Sequence, residues 1–304
     1  MKYGTIAGLG MRVSRLIMGC DNQRTPEHAA QMFDDFVARG GNCFDTAHIY
    51  GGGLQERLLG EWVAARGLRD QVAIIGKGAH TPNCYPEFIT SQLATSLDRL
   101  GTDHVDLYLM HRDNPEVPVG EFVDCLNQHL QAGRLRAFGG SNWTLARVAE
   151  ADGYARAHGL VGMAAVSNNF SLARMLSPVW DGCLAASDPE SRAWFTQTQL
   201  PLLSWSSQAR GFFTDRAGPD KRDDEELVRC WYDDGNFARR ARAYELAARK
   251  GVQAINIALA YMLAQPFPTF ALIGPRTVAE TQSSFGALSV EPTPEEVTWL
   301  ESGA

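Results

Sequence analysis

The sequence predicts an α/β protein, a single (β/α)8 (TIM) barrel domain over residues 1–304. Short apolar segments alternate with longer helical ones in eight strand-then-helix units, and this alternation is typical of parallel strands joined by crossover helices. Eight units in 304 residues favour a closed barrel over an open sheet. Polar residues also cluster where the predicted strands end, which is where such barrels carry their chemistry.

The amino-terminal residues 3–14 predict a β-hairpin that precedes the alternating units, because two short apolar stretches flank closely spaced glycines. The first unit pairs a strand at 16–19 with a helix that runs to Arg39. Thr25 suits the N-cap of that helix, and Pro26 suits its first position, where no backbone N–H is needed.

The other seven units follow the same alternation. Their predicted strands are 43–46, 72–77, 105–110, 135–139, 162–167, 201–206 and 269–273. Their predicted helices are 54–65, 86–100, 118–131, 144–158, about 237–264 and 277–286. Residues 172–199 form a looser region, which we interpret either as a decorated sixth helix or as a lid over cofactor or substrate.

Composition and charge argue against several classes of function. The chain is 45% hydrophobic and 21% charged, as in ordinary globular proteins, and its formal net charge of −7 argues against a nucleic-acid partner. No apolar run approaches the ~18 residues of a membrane span, and no signal-peptide core is present. The six cysteines are scattered without metal-ligand spacing, which predicts reduced thiols, no metal site and a cytoplasmic location. The sequence specifies no oligomeric state.

A candidate proton donor follows the second predicted strand. Asp45 lies near the carboxyl end of that strand, and Tyr50 lies one loop further along the chain. The ordinary pKa of a tyrosine is about 10. The phenol therefore needs a nearby cation, which favours the phenolate, before it is useful as an acid at neutral pH.

Two further polar side chains end the next predicted strands. Lys77 ends strand 72–77, and His111 directly follows strand 105–110. Taken singly, such a lysine is typical of a solvated rim and such a histidine of a structural hydrogen bond. Because adjacent strand ends of a barrel converge, we expect Asp45, Tyr50, Lys77 and His111 to share one pocket. Lys77 would supply the cation, Asp45 would keep it charged, and His111 would orient a substrate oxygen.

Together these four residues are suited to donate a proton to a carbonyl oxygen. They include neither an evident nucleophile nor a set of metal ligands. A carbonyl protonated on oxygen needs a hydride on carbon, which no side chain supplies and a nicotinamide cofactor does. A Schiff-base aldolase with Lys77 as the amine is an alternative. Asp45 argues against it, because a carboxylate keeps the lysine protonated and non-nucleophilic.

The sequence resembles the aldo-keto reductase superfamily over essentially its whole length. The matching segments are Phe44-Asp45-Thr46-Ala47 with Tyr50-Gly51, Lys77, His111-Arg112, Gly140-Ser141-Asn142, Trp205-Ser206 with Arg210-Gly211, and Gly274 with Arg276-Thr277. The resemblance implies a barrel closed at the bottom by the N-terminal hairpin. It also implies NADPH-dependent reduction of an aldehyde or ketone, or the reverse, with Tyr50 as general acid. Because some members are regulatory subunits, a non-catalytic subunit is a further alternative.

The resemblance also implies cofactor contacts. Ser141 and Asn142 would hold the nicotinamide carboxamide, together with Ser167, which stands where the family usually has glutamine. Trp205 takes the place of the aromatic residue that stacks on the ring. The pyrophosphate would be wrapped by 206–211, which includes Ser206, Arg210 and Gly211, and the adenosine end would lie at Gly274, Arg276 and Glu280.

The preference between NADP(H) and NAD(H) depends on Arg276 and Glu280. Arg276, close to a predicted helix start, suits a 2′-phosphate, whereas Glu280 would repel it or accept a bond from a free 2′-hydroxyl. Because repulsion in solvent is screened, we predict NADP(H) with appreciable use of NAD(H).

The predicted substrate is a small-molecule carbonyl compound with hydroxyl groups. Polar side chains follow several predicted strands, and a pocket of such groups rejects analogues that leave them unpaired. We therefore predict a sugar-like or keto-glycoside substrate in preference to a hydrophobic aldehyde. The candidate contacts are Asp21, His48, His80, Arg112 and Asp113.

Overall fold

The structure, a computed structural model, describes residues 1–304 without a break. Its strands are β1 (Tyr3–Gly4), β2 (Val13–Ser14), β3 (Leu16–Gly19), β4 (Cys43–Asp45), β5 (Ala73–Gly78), β6 (Val105–Met110), β7 (Leu135–Ser141), β8 (Ala165–Ser167), β9 (Leu202–Ser204) and β10 (Thr269–Ile273). Its helices are α1 (Pro26–Ala38), α2 (Leu54–Arg66), α3 (Pro86–Leu100), α4 (Val119–Gln131), α5 (Leu145–Ala157), α6 (Pro189–Thr198), α7 (Glu225–Trp231), α8 (Asp234–Lys250), α9 (Ala254–Leu263), α10 (Val278–Gly286) and α11 (Pro294–Ser302).

The predicted eight-stranded parallel barrel is confirmed. Strands β3 to β9 pair in chain order, and β10 closes the barrel by pairing with both β9 and β3. Asp45 of β4 lies beside Gly19 of β3 and Ile75 of β5, and Lys77 lies beside Leu109 of β6. This register brings the carboxyl ends of four neighbouring strands to one face of the barrel, so it decides which side chains meet there.

The N-terminal hairpin closes the opposite, amino-terminal end. Strands β1 and β2 pair antiparallel, and the loop between them buries Ile6 and Leu9 against the inward-facing side chains of the barrel strands. Gly8 has a φ of +86°, and a Cβ there would lie 2.9 Å from the carbonyl oxygen of Arg136. Glycine is therefore needed for this close approach.

The larger part of the core lies between the strands and the surrounding helices, as α1 illustrates. The Thr25 side chain accepts a hydrogen bond from the amide of His28, and Pro26 occupies the first turn, so the predicted start is confirmed. The ring of Phe33 packs edge-on against Phe44 of β4 at 5.3 Å. Each fully buried side chain of this size contributes about 1.5–3 kcal/mol. The buried face of α1 consists of Ala29, Met32, Phe33 and Phe36.

The predicted long helix at about 237–264 is wrong, since the structure has two helices there. Gly251 ends α8 with a φ of +67°, a conformation that other residues rarely adopt. Gln253 and Asn256 then form a capping box that starts α9. The split lets α9 turn back and pack against β10.

Three helices, α6, α7 and α11, lie outside the predicted helix ranges. Helix α6 lies within the looser region 172–199, and Asp188 caps its start. Helix α11 begins with a capping box between Thr293 and Glu296. Both starts have a capping residue followed by proline, a signal that was present in the sequence. No helix of the structure combines the length and apolar character needed to span a membrane.

Candidate active site

A buried ion pair links two neighbouring strands at the carboxyl end of the barrel. Asp45 is the last residue of β4, and Lys77 lies near the end of β5. The Nζ atom of Lys77 lies 2.5 Å from each carboxylate oxygen of Asp45. Both side chains are only 4% exposed. The lysine is therefore held by its aspartate inside the barrel and is not a solvated rim charge.

Tyr50 and His111 complete the cluster. The Nζ atom of Lys77 lies 5.0 Å from the centroid of the Tyr50 ring. The Tyr50 and His111 rings pack edge-on, with their centroids 5.8 Å apart. The structure thus brings together all four residues that the sequence analysis placed in one pocket.

The loop that carries Tyr50 turns sharply into α2. Tyr50 opens a 3₁₀ turn, and Gly51, Gly52 and Gly53 follow with φ values of 51°, 63° and 95°. Three consecutive residues in the left-handed region are accessible at low cost only to glycine. The amide of His48 donates to the carbonyl oxygen of Lys77 at 2.8 Å, which attaches the start of the loop to β5.

Burial controls the electrostatics of the cluster. Removal from water raises the pKa of Tyr50 to about 12, although the positive charge of Lys77 opposes the rise. For Lys77, burial lowers the pKa, but the charges of Asp45 and Tyr50 outweigh it and the pKa rises to about 12. Lys77 thus acts on the phenol pKa in the expected direction, and burial outweighs its effect. At neutral pH the site contains a protonated phenol beside an ammonium group.

His111 is uncharged in this environment. Burial and the charge of Lys77 hold the pKa of its imidazole well below 6.5. The ring makes no hydrogen bond to the protein, and His80 packs edge-on against it at 4.9 Å. A neutral imidazole with no protein partner is suited to a hydrogen bond with a ligand oxygen.

The three predicted carboxamide-binding residues lie side by side at the carboxyl ends of β7 and β8. Ser141 pairs with Ser167 across the two strands, and its hydroxyl donates to the Ser167 carbonyl oxygen at 3.1 Å. The Asn142 side chain donates to Ser141 Oγ at 3.2 Å and accepts from the amide of Leu184 at 3.1 Å. These polar groups form a connected row at the mouth of the barrel.

The loop after β9 has an unusual backbone. Ser206, Ala209 and Arg210 have φ values of 47°, 47° and 53°, and Gly211 follows at 90°. Left-handed conformations of residues other than glycine cost free energy and often occur at functional sites. The preceding Trp205 is partly buried, and its Nε1 has no protein partner.

Trp180 reaches this loop from the segment that precedes α6. Its side chain is 51% exposed, and its ring lies 5.9 Å from that of Trp205. The guanidinium of Arg210 lies 5.5 Å from the Trp180 ring, and its Nε forms a 2.6 Å ion pair with Glu226. Trp180 thus brings this segment into contact with the loop predicted to wrap the cofactor pyrophosphate.

The predicted adenosine-binding residues lie just before α10 and in its first turn. The carbonyl oxygen of Gly274 accepts from Asn22 at 2.9 Å. The carboxylate of Glu280 accepts from the backbone amide of Arg276 at 2.6 Å, whereas the Arg276 guanidinium is exposed and has no protein partner. Thr277 is the N-cap of this helix, as predicted.

Comparison with known proteins agrees with this arrangement. The sequence model described as "Aldo/keto reductase family" matches residues 15–303. The chain belongs to the aldo/keto reductase family. The enzymes of this family are oxidoreductases that act on carbonyl groups and generally use nicotinamide cofactors.

Several relatives match this chain over most of its length. An uncharacterised oxidoreductase of Bacillus subtilis, YrpG, is 26% identical over 95% of this chain and 92% of its own. The norsolorinic acid reductase of Emericella nidulans is 29% identical over 96% of this chain and 78% of its own. A protein of Saccharomyces cerevisiae named as a putative aryl-alcohol dehydrogenase is 26% identical over 96% of this chain and 84% of its own.

The fold has a counterpart among solved structures. A thermostable aldo-keto reductase in complex with the inhibitor epalrestat superposes with a TM-score of 0.77. The match covers 100% of both chains at 21% sequence identity. At that identity the likeness supports the barrel fold and nothing finer.

The five predicted substrate contacts of this aldo/keto reductase differ in their surroundings. Asp21 is exposed, and its charge contributes to the raised pKa of Tyr50, whereas His80 packs on His111. The other three are engaged by the protein. Their partners are Arg99 for His48 (3.4 Å), Cys183 for Arg112 (3.4 Å) and Arg147 for Asp113 (3.1 Å).

A buried ion pair beside the loop that carries Tyr50 is absent from the sequence predictions. Glu56 in α2 and Arg99 in α3 lie 2.9 Å apart, and the Glu56 side chain is fully buried. Their positions on two separate helices carry no motif. The same helices also bury other polar residues, Gln55 in α2 and Gln92 and Ser96 in α3, so no pattern distinguishes the pair.

Proposed function

We propose that this protein reduces an aldehyde or ketone to an alcohol, or catalyses the reverse, with NADP(H) as cofactor and Tyr50 as the general acid. The observation that carries the proposal is the position of Lys77. Its ammonium is bound by both oxygens of Asp45 at 2.5 Å and lies 5.0 Å from the Tyr50 ring. A phenol next to a fixed buried cation is suited to give up a proton, because the cation stabilises the phenolate that forms.

The roles of the other residues follow from their charges. Tyr50 is protonated at neutral pH and would donate its proton to the carbonyl oxygen. Lys77 would stabilise the resulting phenolate, while Asp45 fixes the position of the ammonium. His111 is neutral and would orient the carbonyl oxygen by a hydrogen bond. Nicotinamide, when bound, supplies the hydride that these side chains lack.

The residues at the mouth of the barrel fit such a cofactor. The Trp205 indole N–H has no protein partner, the loop after β9 has strained left-handed residues, and the Arg276 guanidinium is unpaired. Backbone N–H groups in such turns form anion-binding concavities. The proposed contacts are Ser141, Asn142 and Ser167 for the carboxamide, Trp205 for the ring, Ser206, Arg210 and Gly211 for the pyrophosphate, and Gly274, Arg276 and Glu280 for the adenosine end.

We propose a preference for NADP(H) with appreciable use of NAD(H). The free Arg276 guanidinium suits a 2′-phosphate, and the Glu280 carboxylate is occupied by the Arg276 amide. Arg276→Ala should weaken NADPH binding by roughly 1.5–3 kcal/mol, the value of a charged hydrogen bond, and spare NADH binding. Glu280→Arg should widen the preference for NADPH. Quenching of tryptophan fluorescence would measure both affinities, and tighter binding of NADH to the unmutated protein would overturn the preference.

We propose a hydroxylated, sugar-like or keto-glycoside substrate. Asp21 and His80 are polar groups beside the cluster, so they are suited to bind the hydroxyl groups of a substrate. An aromatic hydroxylated ketone is a second candidate. The names of the relatives that reduce norsolorinic acid and oxidise aryl alcohols refer to aromatic compounds.

A panel of carbonyl compounds tests these proposals. Keto-sugars, hydroxylated aryl ketones and alkyl aldehydes would be compared by the rate of NADPH and NADH oxidation, with Tyr50→Phe as the inactive control. Much higher kcat/KM for alkyl aldehydes would refute the substrate class. Trapping of a substrate adduct by borohydride would support the aldolase alternative, and the absence of a single turnover with any carbonyl compound would favour the regulatory subunit.

A further inference from the structure

The ion pair between Glu56 and Arg99 has no place in the proposed chemistry, yet it lies directly behind the loop that carries Tyr50. Glu56 is in the first turn of α2, and its side chain is fully buried. Arg99 is in the last turn of α3, and its side chain is 17% exposed. Burying two charges has a large desolvation cost, so such a pair is weak evidence for a purely stabilising role.

The same guanidinium also holds the backbone of the loop. Arg99 Nη1 donates to the carbonyl oxygen of His48 at 2.9 Å and to Glu56 Oε2 at 2.9 Å. The His48 amide, on the other side, donates to the Lys77 carbonyl oxygen at 2.8 Å. The backbone of His48 is therefore clamped between β5 and α3. It precedes Tyr50 by a single intervening residue.

The sequence of the loop makes room for this contact. A Cβ at Gly53 would lie 2.4 Å from Arg99 Cζ, so a larger residue there would displace the guanidinium. Gly51, Gly52 and Gly53 also give the loop more backbone freedom than any other residues would. A loop of this composition needs an external contact if its tyrosine is to keep one position.

We propose that Arg99 is a positioning residue for Tyr50. By clamping the His48 carbonyl, with Glu56 fixing the guanidinium, it keeps the phenol next to Lys77. This inference rests on the proposed function of Tyr50. A reacting group that moves by about 1 Å loses about 10²-fold in rate, so loss of the clamp should affect turnover although Arg99 touches neither substrate nor cofactor.

The test compares two variants that differ only in the clamp. Glu56→Gln, the reference, removes the buried negative charge but keeps an acceptor for Arg99. The double variant Arg99→Met with Glu56→Gln then removes the clamp without leaving a buried charge unpaired. Arg99→Lys in the unmutated background is the conservative variant, since an ammonium retains a donor for the His48 carbonyl and a partner for Glu56.

Relative to Glu56→Gln, the double variant should show a kcat lower by about 10- to 100-fold. Its dissociation constant for NADPH should not change, because the proposed cofactor residues lie on other elements of the barrel. Hydrogen exchange of the backbone amides of residues 47–53 should be faster. Arg99→Lys should retain more turnover than the double variant.

Equal kcat values for the reference and the double variant would overturn the proposal. A parallel loss of kcat, NADPH affinity and melting temperature would also overturn it, since that pattern indicates general unfolding. If the unmutated protein reduces no carbonyl compound, the proposed function is wrong. Hydrogen exchange then tests by itself whether Arg99 holds the loop in place. Unchanged exchange in residues 47–53 would exclude it, and faster exchange confined to that loop would support it.

Discussion

Two buried aspartates lie at opposite ends of the barrel, and their partners differ. Asp106, near the start of β6 at the amino-terminal end, accepts from the amide of Ile74 at 2.8 Å. It also forms ion pairs with Arg69 at 3.0 Å and Arg136 at 3.3 Å. Asp45, at the carboxyl end, has one cation for both of its oxygens, the ammonium of Lys77.

The exposure of the partners explains what each pair does. The side chains of Arg69 and Arg136 are 22% and 42% exposed, so their charges remain partly hydrated. Lys77 is 4% exposed, and its charge is shared between Asp45 and Tyr50. The two arginines at the amino-terminal end therefore lose less hydration than Lys77 does. The carboxyl-end pair bears a larger cost, and what it provides is a fixed cation beside a phenol.

The largest expected effect is that of Lys77→Met, which leaves the Asp45 carboxylate buried without a partner. The free energy of unfolding should fall by about 3–5 kcal/mol, and turnover should be lost. Urea unfolding and NADPH oxidation would measure the two effects. In the double variant Lys77→Met with Asp45→Asn, stability should recover while turnover stays absent. Recovery of turnover would show that the cation is not needed.

Tyr50→Phe, at the carboxyl end of the barrel, should lower turnover without changing stability or cofactor affinity. Turnover should fall by at least the ~10²-fold of a lost general acid. Affinity for NADPH and the urea midpoint should stay near their unmutated values, because the ring remains in place. A variant with near-normal kcat would refute the assignment of Tyr50 as the acid.

Asp106→Asn is the matched change at the amino-terminal end. Loss of the charge weakens the contacts to Arg69 and Arg136, so stability should fall by about 1–3 kcal/mol. The kcat per folded molecule, counted by NADPH binding, should not change. A lower kcat at unchanged cofactor affinity would contradict the division of roles between the two ends.

The smallest expected effect is the contribution of His111 to the pH dependence of stability. The pKa of its imidazole is held well below 6.5, so the unfolded chain binds a proton that the folded protein does not. Stability should therefore be lost as pH falls below the unfolded pKa, by at most about 1.4 kcal/mol per pH unit. Urea unfolding at several pH values should show a shallower dependence in His111→Asn. An equal slope in both proteins would contradict the depressed pKa.

The sequence by itself determined the barrel and the meeting of Asp45, Tyr50, Lys77 and His111. The alternating pattern predicts parallel strands, and parallel strands bring their carboxyl ends to one face whatever the details of packing. Element boundaries were less predictable. The long helix predicted at about 237–264 is divided at Gly251, because a local capping preference outweighs a continuous helical pattern.

Only the tertiary structure decided where the remaining side chains point and how the site is charged. His48, Arg112 and Asp113 follow strands as predicted, yet each is engaged by a partner distant in sequence. Burial likewise raises the pKa of Tyr50 to about 12, where the pairing with Lys77 alone predicted a fall. Side-chain direction and desolvation depend on every neighbour in space, and a strand pattern specifies only the neighbours along the chain.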